Sequence, residues 1–389
     1  MRPQIKILLT ILFLFTGYSS TVTAQAMDDP AIKYLKNFFI EVNNPLNIER
    51  KHEPVTILIK DIISKFPDFN KMFFRVKYYD SPFEPSDIPS QIRMAPEAGT
   101  DKDELVFQID IAPNATITIE VQYNPHGALL PEYPVKTLSS DTWYRPGENL
   151  SWESELIAYR SYNGVVDFFA KTYSHTRLNN LLPDSYHHER IWGIDPYMIG
   201  GKPGLGGVII FQKDKIIKAY GENAGKITFK ASGNGAVSSG GLVKGSFFHH
   251  YYWIFTDCFE NRVKTYADFG NNVPNTDILI APGVQKFDNA EIIKNDKEGY
   301  LIVWGSPLTE YGIIGTALIW NPEKSSGLYE DEDGIFIKLR TDNDYSVDYE
   351  SIGVWNRASS KLPDSPGQFE NYVKVLAEKF INPLSVKIK

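Results

Sequence analysis

Cysteine is almost absent from this chain of 389 residues, since Cys258 is the only one. A single cysteine excludes a framework of intrachain disulfide bonds, so the stability of the fold has to come from a buried apolar core. A chain of this length is long enough to bury such a core. We therefore expect Cys258 to be a buried apolar side chain rather than a nucleophile.

An excess of positive charge is also missing, because 40 Lys and Arg residues against 48 Asp and Glu residues give a formal net charge of −8. Nucleic acids and anionic membrane surfaces attract basic patches, so this charge argues against both as main partners. An anionic substrate stays compatible with the charge if a few Arg and Lys side chains converge at one place.

The apolar run near the N-terminus is too short to cross a bilayer. Ile7–Phe15 follows Arg2 and Lys6 and is well below the ~20 residues that a spanning helix needs. Small residues follow and end at Ala24, which is typical of a cleavable secretory signal peptide. We predict a signal peptide over residues 1–24, no membrane insertion, and a mature protein in the periplasm or outside the cell.

Two signatures of catalysis are missing as well. The glycine-rich segment Lys202–Gly207 lacks the Gly-Lys-Ser/Thr ending of a phosphate-binding loop, and no βαβ pattern surrounds it. The sequence also offers no convincing Gly-x-Ser-x-Gly elbow of a serine hydrolase. We expect the glycines to allow a tight bend or a close approach of a ligand to the backbone.

Short β-rich segments are what the chain does contain, and they are separated by turn residues. This pattern predicts an all-β fold of antiparallel sheets, which we interpret as one large β-sandwich domain over residues 25–389. The predicted strands are Val55–Ile59, Phe73–Lys77, Glu104–Ile111, Ala115–Gln122, Gly207–Phe211, Lys226–Lys230, Tyr251–Phe255, Tyr300–Trp304 and Gly334–Leu339.

Helical periodicity is clear near the end, over Gln368–Phe380, where apolar residues recur at three- and four-residue spacing. Ser365 and Pro366 precede it as a cap and a first-turn proline. A second helix is expected over Ala31–Ile40. The stretches Ser81–Thr100 and His126–Glu148 are expected to be long loops.

Polar side chains concentrate in the segment Trp152–Phe211, between apolar stretches, and this is where we expect a site. Adjacent histidines in a strand point to opposite faces, so at most one of His187 and His188 joins any given site. A bound metal ion is possible there but is not predicted, and no cofactor is expected. The polar residues of the segment are Arg160, His187, His188, Glu189, Arg190, Asp195, Tyr197 and Lys202.

A second run of rings occurs at His249–Trp253. Alternation along a strand places His249, Tyr251 and Trp253 on one face and His250 and Tyr252 on the other. One set is expected in the core, and the other is expected to form a wall that suits sugar, whose rings stack on aromatic faces. A purely structural aromatic strand is the alternative.

Several of these segments together resemble the DUF4861 family of exported bacterial proteins. The resemblance covers nearly all of the chain after the signal peptide, although residues 188–192 are bulkier than the family's pattern at that place. It implies a β-sandwich like those of sugar mutarotases and polysaccharide lyases. The segments that carry it read WESELIAYRSYNG, YHHERIWGIDPYMIGGKPGLGGVIIF, IPSQIR with ELVFQIDIAP, and IGVWNRASS with FENYVKVLAEKF.

The resemblance also implies an enzyme that acts on uronic-acid oligosaccharides by β-elimination, through loss of water or through chain cleavage. Elimination from a uronate needs a base for the C5 hydrogen, an acid for the leaving oxygen, and a cation for the carboxylate. We assign His187 as the base, Tyr197 as the proton donor, Arg160 as the carboxylate contact and Asp195 as the residue that orients the histidine. The structural alternative is a buried ion pair of Arg160 with Asp195, and a core position for Tyr197.

Further residues are assigned to substrate binding, with an anionic oligosaccharide as the expected partner. Two other functions remain open: glycoside hydrolysis by paired carboxylates such as Glu153 and Asp195, and carbohydrate binding without catalysis. The assigned substrate contacts are His188, Arg190, Lys202, His249, His250 and Tyr252.

Overall fold

A computed structural model describes residues 35–79, 86–95, 102–127, 131–143, 148–180, 186–213, 215–272, 274–307, 309–358 and 363–389. The predicted signal peptide lies outside these residues. Strands make up most of the described chain, and all pairs between named strands are antiparallel. The prediction of an all-β sandwich with a C-terminal helix is confirmed.

The first part of the chain builds a small sandwich of two sheets. One sheet has the order β26 (Ser385–Ile388), β1 (Lys36–Asn43), β7 (Thr116–Tyr123), β3 (Phe74–Tyr78) and β4 (Ser86–Ile88). The other has the order β2 (Arg50–Leu58), β6 (Glu104–Ile111) and β5 (Ser90–Arg93), and a short helix, α1 (Ile59–Lys65), follows β2. Together they enclose one apolar cluster, which includes Phe38, Val55, Phe107 and Val121.

The helix expected over Ala31–Ile40 is wrong for the residues that the structure describes. Phe38, Ile40 and Val42 are buried, while the residues between them are more exposed, which is the period of a strand with one face in the core. β1 pairs with β7 along its whole length, so pairing with a distant strand decides its conformation. Residues 31–34 lie outside the described chain.

The rest of the chain forms a larger sandwich. Its long sheet has eight strands in the order β15 (Thr228–Ser232), β16 (Ser238–Lys244), β17 (Phe248–Phe255), β18 (Glu260–Ala267), β25 (Ser346–Trp355), β22 (Ile314–Ile319), β21 (Tyr300–Gly305) and β20 (Glu291–Asn295).

Two five-stranded sheets pack against the long sheet. The first has the order β12 (Gly193–Ile194), β11 (Val165–Lys171), β10 (Ile157–Tyr162), β9 (Leu150–Glu153) and β8 (Leu138–Ser140). The second has the order β14 (Lys215–Lys218), β13 (Leu205–Gln212), β19 (Ile278–Gln285), β24 (Gly334–Arg340) and β23 (Ser325–Glu330). A parallel bridge between Val166 and Gly204 joins the two sheets into one layer.

The C-terminal helix, α2 (Pro366–Ile381), confirms the periodicity read from the sequence. It buries Phe369, Val373, Leu376 and Ala377 against β21 and β22, where the ring of Phe369 lies 5.6 Å from that of Trp304. Burying an aromatic side chain of this size contributes about 1.5–3 kcal/mol. The helix therefore covers part of the long sheet, over β21 and β22.

Cys258 lies where the two sandwiches contact each other. Its thiol is buried beside Val106 and Phe255, and burial raises its pKa well above the usual range, as expected for an apolar rather than a reactive cysteine. Gln91 and Gln108 cross the same contact through hydrogen bonds to Ser238 and Thr256. The single-domain boundary at residues 25–389 stays a prediction.

Alternation along β10 is what positions the candidate site. Tyr159 belongs to the main core, where it packs between Trp152 and Phe168. Arg160 and Tyr162 point to the opposite, outer face of the same sheet, as strand geometry requires. Part of that face is covered by a separate apolar cluster that contains Phe169, Tyr186 and Trp192.

Candidate active site

A cleft of about 490 Å³ opens on the outer face of the β8–β12 sheet. Its volume lies within the range of about 300–1,000 Å³ that is usual for ligand sites. Polar and aromatic side chains make up most of its wall, and Gly225 and Ile227 complete it. The lining residues are Glu148, Asn149, Arg160, Tyr162, Asn163, Tyr186, His187, Gly225 and Ile227.

Arg160 lies at the base of the cleft and is held by a carboxylate on the neighbouring strand. The register of β10 and β11 places Asp167 directly opposite Arg160. Arg160 Nε donates to Asp167 Oδ1 at 3.3 Å, and Nη2 donates to Oδ2. The rings of Tyr162, Phe169 and Tyr186 surround the guanidinium at 4.9–5.2 Å. This arrangement fixes a positive charge in an aromatic environment.

Asp195 contributes a second carboxylate to the same guanidinium. It follows β12 and is 1% exposed, and its Oδ2 lies 3.7 Å from Arg160 Nη2. Burial, together with the nearby Asp167, raises the pKa of Asp195 well above its usual range, while Arg160 opposes this shift. Burial also raises the pKa of Asp167. Asp195 therefore holds a proton more tightly than an ordinary aspartate.

His187 faces Asp195 from a turn, so the strand geometry assumed for the two histidines is wrong. Residues 186–188 form a turn, and both His187 and His188 are exposed. His187 lines the cleft, with Nδ1 3.6 Å from Asp195 Oδ2. Partial burial lowers the pKa of His187, with smaller contributions from Arg160 and His188. Near neutral pH this imidazole is neutral, and Nε2 is on the side of the ring away from Asp195.

Tyr197 is placed in the core and not at the cleft. It is 1% exposed, its ring lies 5.4 Å from that of Phe168, and burial raises the pKa of its hydroxyl. The described lining of the cleft instead contains Tyr162, which sequence reasoning missed. Burial raises the pKa of Tyr162 as well, so its hydroxyl stays protonated. The signal was present, because residues two apart in a strand share a face and Tyr162 is two residues from Arg160.

The cleft also contains two asparagines and a glutamate that sequence reasoning did not select. Asn163 and Gly164 form the turn between β10 and β11, with φ values of 48° and 73°. An Asn-Gly pair between two strands is a strong hairpin signal. Asn149 donates from Nδ2 to the carbonyl oxygen of Trp143 at 3.1 Å.

The remaining polar residues of the central segment do not appear in the described lining of the cleft. His188 and Arg190 are exposed on the turn that carries His187, and Lys202 is half-buried. Glu189 of the same turn accepts a hydrogen bond from Arg357 Nη1 at 2.9 Å. The bend at Lys202–Gly207 needs its glycines, because a Cβ at Gly207 would lie 2.5 Å from the carbonyl oxygen of Pro203.

Strand β17 confirms the predicted alternation but is not part of the described lining of the cleft. His250 is fully buried and Tyr252 is 1% exposed, and Tyr252 stacks on Trp152 at 4.4 Å. These two side chains have no exposed surface through which to contact a substrate. His249 and Trp253 are partly exposed on the opposite face, and His249 Nε2 lies 2.9 Å from Asp268 Oδ2.

The carboxylate pair considered for hydrolysis is not brought together at the cleft. Glu153 is fully buried and accepts hydrogen bonds from Lys171 and from the backbone N–H groups of Arg177 and Leu178. It therefore fixes local structure. In the described parts of the chain there is no group of three or more His, Cys, Asp or Glu side chains placed to hold a metal ion.

Similar folds occur among solved structures of sugar-processing enzymes. A protein in glycosyl hydrolase family 38 from Enterococcus faecalis matches with a TM-score of 0.52 and 9% identity, over 93% of this chain and 48% of that one. An alpha-mannosidase from Enterococcus faecalis V583 matches with a TM-score of 0.53 and 8% identity, over 91% of this chain and 46% of that one. At this identity the likeness concerns the fold, and the chain spans about half the length of either protein.

Sequence comparison assigns the chain to a family. Among curated proteins, none matches this chain. Within the described residues, no helix is long and apolar enough to cross a membrane. Residues 42–386 match the family described as "Domain of unknown function (DUF4861)", and the chain therefore belongs to the DUF4861 family.

Proposed function

We propose that this protein is an exported enzyme that acts on uronic-acid-containing oligosaccharides by β-elimination and forms a 4,5-unsaturated uronate. One observation carries the proposal: the cleft brings together a neutral histidine, a carboxylate that faces it, a fixed guanidinium and a protonated tyrosine. The likeness of fold to glycosyl hydrolases supports a role in carbohydrate processing. The signal-like N-terminus supports export.

His187 is the base in this proposal. Its Nδ1 faces Asp195, so Nε2 is the nitrogen that removes the C5 proton of the uronate. The electron pair of the C5–H bond becomes the C4=C5 double bond, and the bond from C4 to its oxygen breaks. Ionised Asp195, whose Oδ2 lies 3.6 Å from Nδ1, favours a proton on Nδ1 and stabilises by its charge the imidazolium that forms. We treat it as a positioning residue, since it does not touch the substrate.

Tyr162 is the proton donor in place of Tyr197. Its raised pKa keeps the hydroxyl protonated, and it lines the cleft beside Arg160. The proton of Tyr162 passes to the departing C4 oxygen, and the proton taken by His187 returns through solvent after release of the product. If the C4 substituent is a hydroxyl, water leaves. If it is a sugar, the chain is cleaved.

Arg160 has a more limited role than a bidentate contact to the substrate carboxylate. Its Nε and Nη2 groups already donate to Asp167, and its side chain also hydrogen-bonds to Tyr186, so only part of the guanidinium is left for the substrate. Its positive charge at the base of the cleft still stabilises the negative charge that grows on the uronate carboxylate. The side-chain amide of Asn163, in the same lining, adds a neutral hydrogen-bond donor.

Incubation of the purified protein with a panel of uronate oligosaccharides tests the proposal. We expect a rise in ultraviolet absorbance, and mass spectrometry should show either a product lighter by one water or unsaturated fragments. New reducing ends without absorbance would indicate hydrolysis instead. Saturable binding of an unchanged ligand would indicate a carbohydrate-binding protein without catalysis.

A further inference from the structure

A second cleft, of about 470 Å³, lies between the two sandwiches and away from the His187 cleft. Its walls come from β2, β5 and β6 of the small sandwich, from β17, β18 and β25 of the long sheet, and from the C-terminal segment 379–386. Four cationic and three acidic side chains line it, in a chain whose formal net charge is −8. It is therefore a local exception to the acidic balance of the protein.

The two lysines of this second cleft have hydrogen-bonding capacity that their carboxylate neighbours do not use. Lys379 Nζ lies 3.5 Å from Glu53 Oε2, and Lys264 Nζ lies 3.8 Å from Asp348 Oδ2. These distances exceed those of N–H···O hydrogen bonds, which are about 2.7–3.2 Å. The lysine side chains are 16% and 28% exposed, so they are partly fixed and still reachable.

Trp253 supplies a flat apolar surface next to these cations. Its ring is partly exposed and lies nearly parallel to that of Tyr251, with an interplanar angle of 12° and 6.0 Å between centroids. The guanidinium of Arg93 lies over the ring at 4.9 Å and is itself bound to Glu104 at 2.6 Å. Arg93 therefore holds the indole in place. Rings of this kind stack on the apolar faces of sugars, while neighbouring cations bind their carboxylates.

We propose that the second cleft binds a carboxylate-bearing saccharide, which stacks on Trp253 while Lys264 and Lys379 contact its carboxylate. The site goes beyond the proposed elimination and would exist even if the His187 cleft performed a different reaction. Its consequence is a second attachment point for an acidic polysaccharide, so the protein would retain a long chain better than a disaccharide.

Calorimetric titration of the His187→Gln variant tests this site, because that variant does not consume the ligand. The probes are short oligosaccharides of galacturonate, glucuronate and mannuronate, each with its methyl-esterified neutral form. For at least one acidic probe, we expect the double variant Lys264→Gln/Lys379→Gln to lose a binding event or to bind at least tenfold more weakly. Quenching of tryptophan fluorescence by the probe should also decrease in Trp253→Phe.

The matched control is Lys286→Gln/Lys294→Gln, which removes two lysines that pair with Glu330 at 3.0 and 2.7 Å outside the cleft. This control should bind like its parent. Unchanged affinity in folded Lys264→Gln/Lys379→Gln, equal affinity for the esterified probes, or no binding by any acidic probe would overturn the second site. Failure of the elimination reaction appears separately, as an absence of unsaturated product from the wild-type protein.

Discussion

Nδ1 of His187 lies 3.6 Å from Oδ2 of Asp195, and the two side chains differ sharply in their access to solvent. The histidine side chain is 51% exposed, while that of Asp195 is 2% exposed. A half-exposed imidazole backed by a buried carboxylate is an arrangement suited to moving a proton between a ligand and the protein. The first predictions concern this pair.

Replacement of His187 by Gln should reduce kcat/KM for elimination by about 10²–10⁴-fold, the usual contribution of a general base, with little change in binding. The wild-type rate should rise with pH and level off above the lowered pKa of His187, below the ordinary value of 6.5. His188→Gln is the control: it should stay active, and its acid limb should move to higher pH, because His188 lowers the pKa of His187. Equal losses in both variants would contradict this assignment.

The two tyrosines provide a direct contrast. Tyr162→Phe should lower kcat by about 10²-fold or more, since it removes the proton donor in the cleft. Tyr197→Phe keeps the ring in the core beside Phe168 and should leave kcat nearly unchanged. Steady-state kinetics on one oligosaccharide can compare them. If Tyr197→Phe is the inactive variant, the donor is not at the described cleft.

Asp195 should lower stability at high pH. Its pKa in the folded protein is raised, so its contribution to folding is fully present below the pKa of the unfolded chain and is lost as pH rises through the folded value. Asp195→Asn should therefore increase Tm more at pH 8 than at pH 4, while it impairs turnover.

The pKa of Asp331 is shifted in the opposite direction to that of Asp195, so Asp331 serves as the comparison. Hydrogen bonds from Lys218 and from backbone N–H groups lower its pKa in spite of burial, so its contribution is present above the unfolded pKa and is lost on acidification. Asp331→Asn should lower Tm at pH 7, and the difference should shrink at pH 3. Thermal denaturation between pH 3 and pH 8 measures both variants. If the change in Tm had the same dependence on pH in both, the opposite directions assigned to the two pKa shifts would be wrong.

Acid sensitivity is expected from His250. Burial lowers its pKa to about 3, and its Nδ1 lies 2.8 Å from Thr265 Oγ1. Its stabilisation is present above the unfolded pKa near 6.5 and is lost as pH falls towards 3, by a few kcal/mol at about 1.4 kcal/mol per unit. In His250→Gln, unfolding by urea should depend less on pH over this interval. A pH dependence as steep as that of the wild-type protein would contradict the prediction.

The periodic spacing of apolar residues along the sequence made much of the fold predictable. β6 was read at its observed bounds, Glu104–Ile111, and the C-terminal helix was placed within two residues at its start and one at its end. The segment Lys36–Asn43 has apolar residues that fit both a helical and a strand period. Its pairing with the distant strand β7 decides that it is a strand, and the local sequence does not show which segment will be its partner.

The candidate site was predictable in its residue types but less so in its geometry. Arg160, His187 and Asp195 were selected from one polar segment, and the structure brings them together. Tyr197 was selected from the same segment as a proton donor, yet the structure buries it in the core. Tyr162 shares a strand face with Arg160, and only the direction of that face, set by packing of the whole sheet, shows that both residues reach the cleft.

The Asn163-Gly164 turn has a consequence for how the site could be lost. The turn sets the register that places Arg160 opposite Asp167. The number of residues in the turn therefore decides which side chains of β10 face the cleft. A slip of one residue exchanges the two faces of a strand completely. Insertion or deletion of a single residue between Ser161 and the turn would therefore move Arg160 to the face of the apolar core and bring Tyr159 and Ser161 to the cleft, without replacing any cleft side chain.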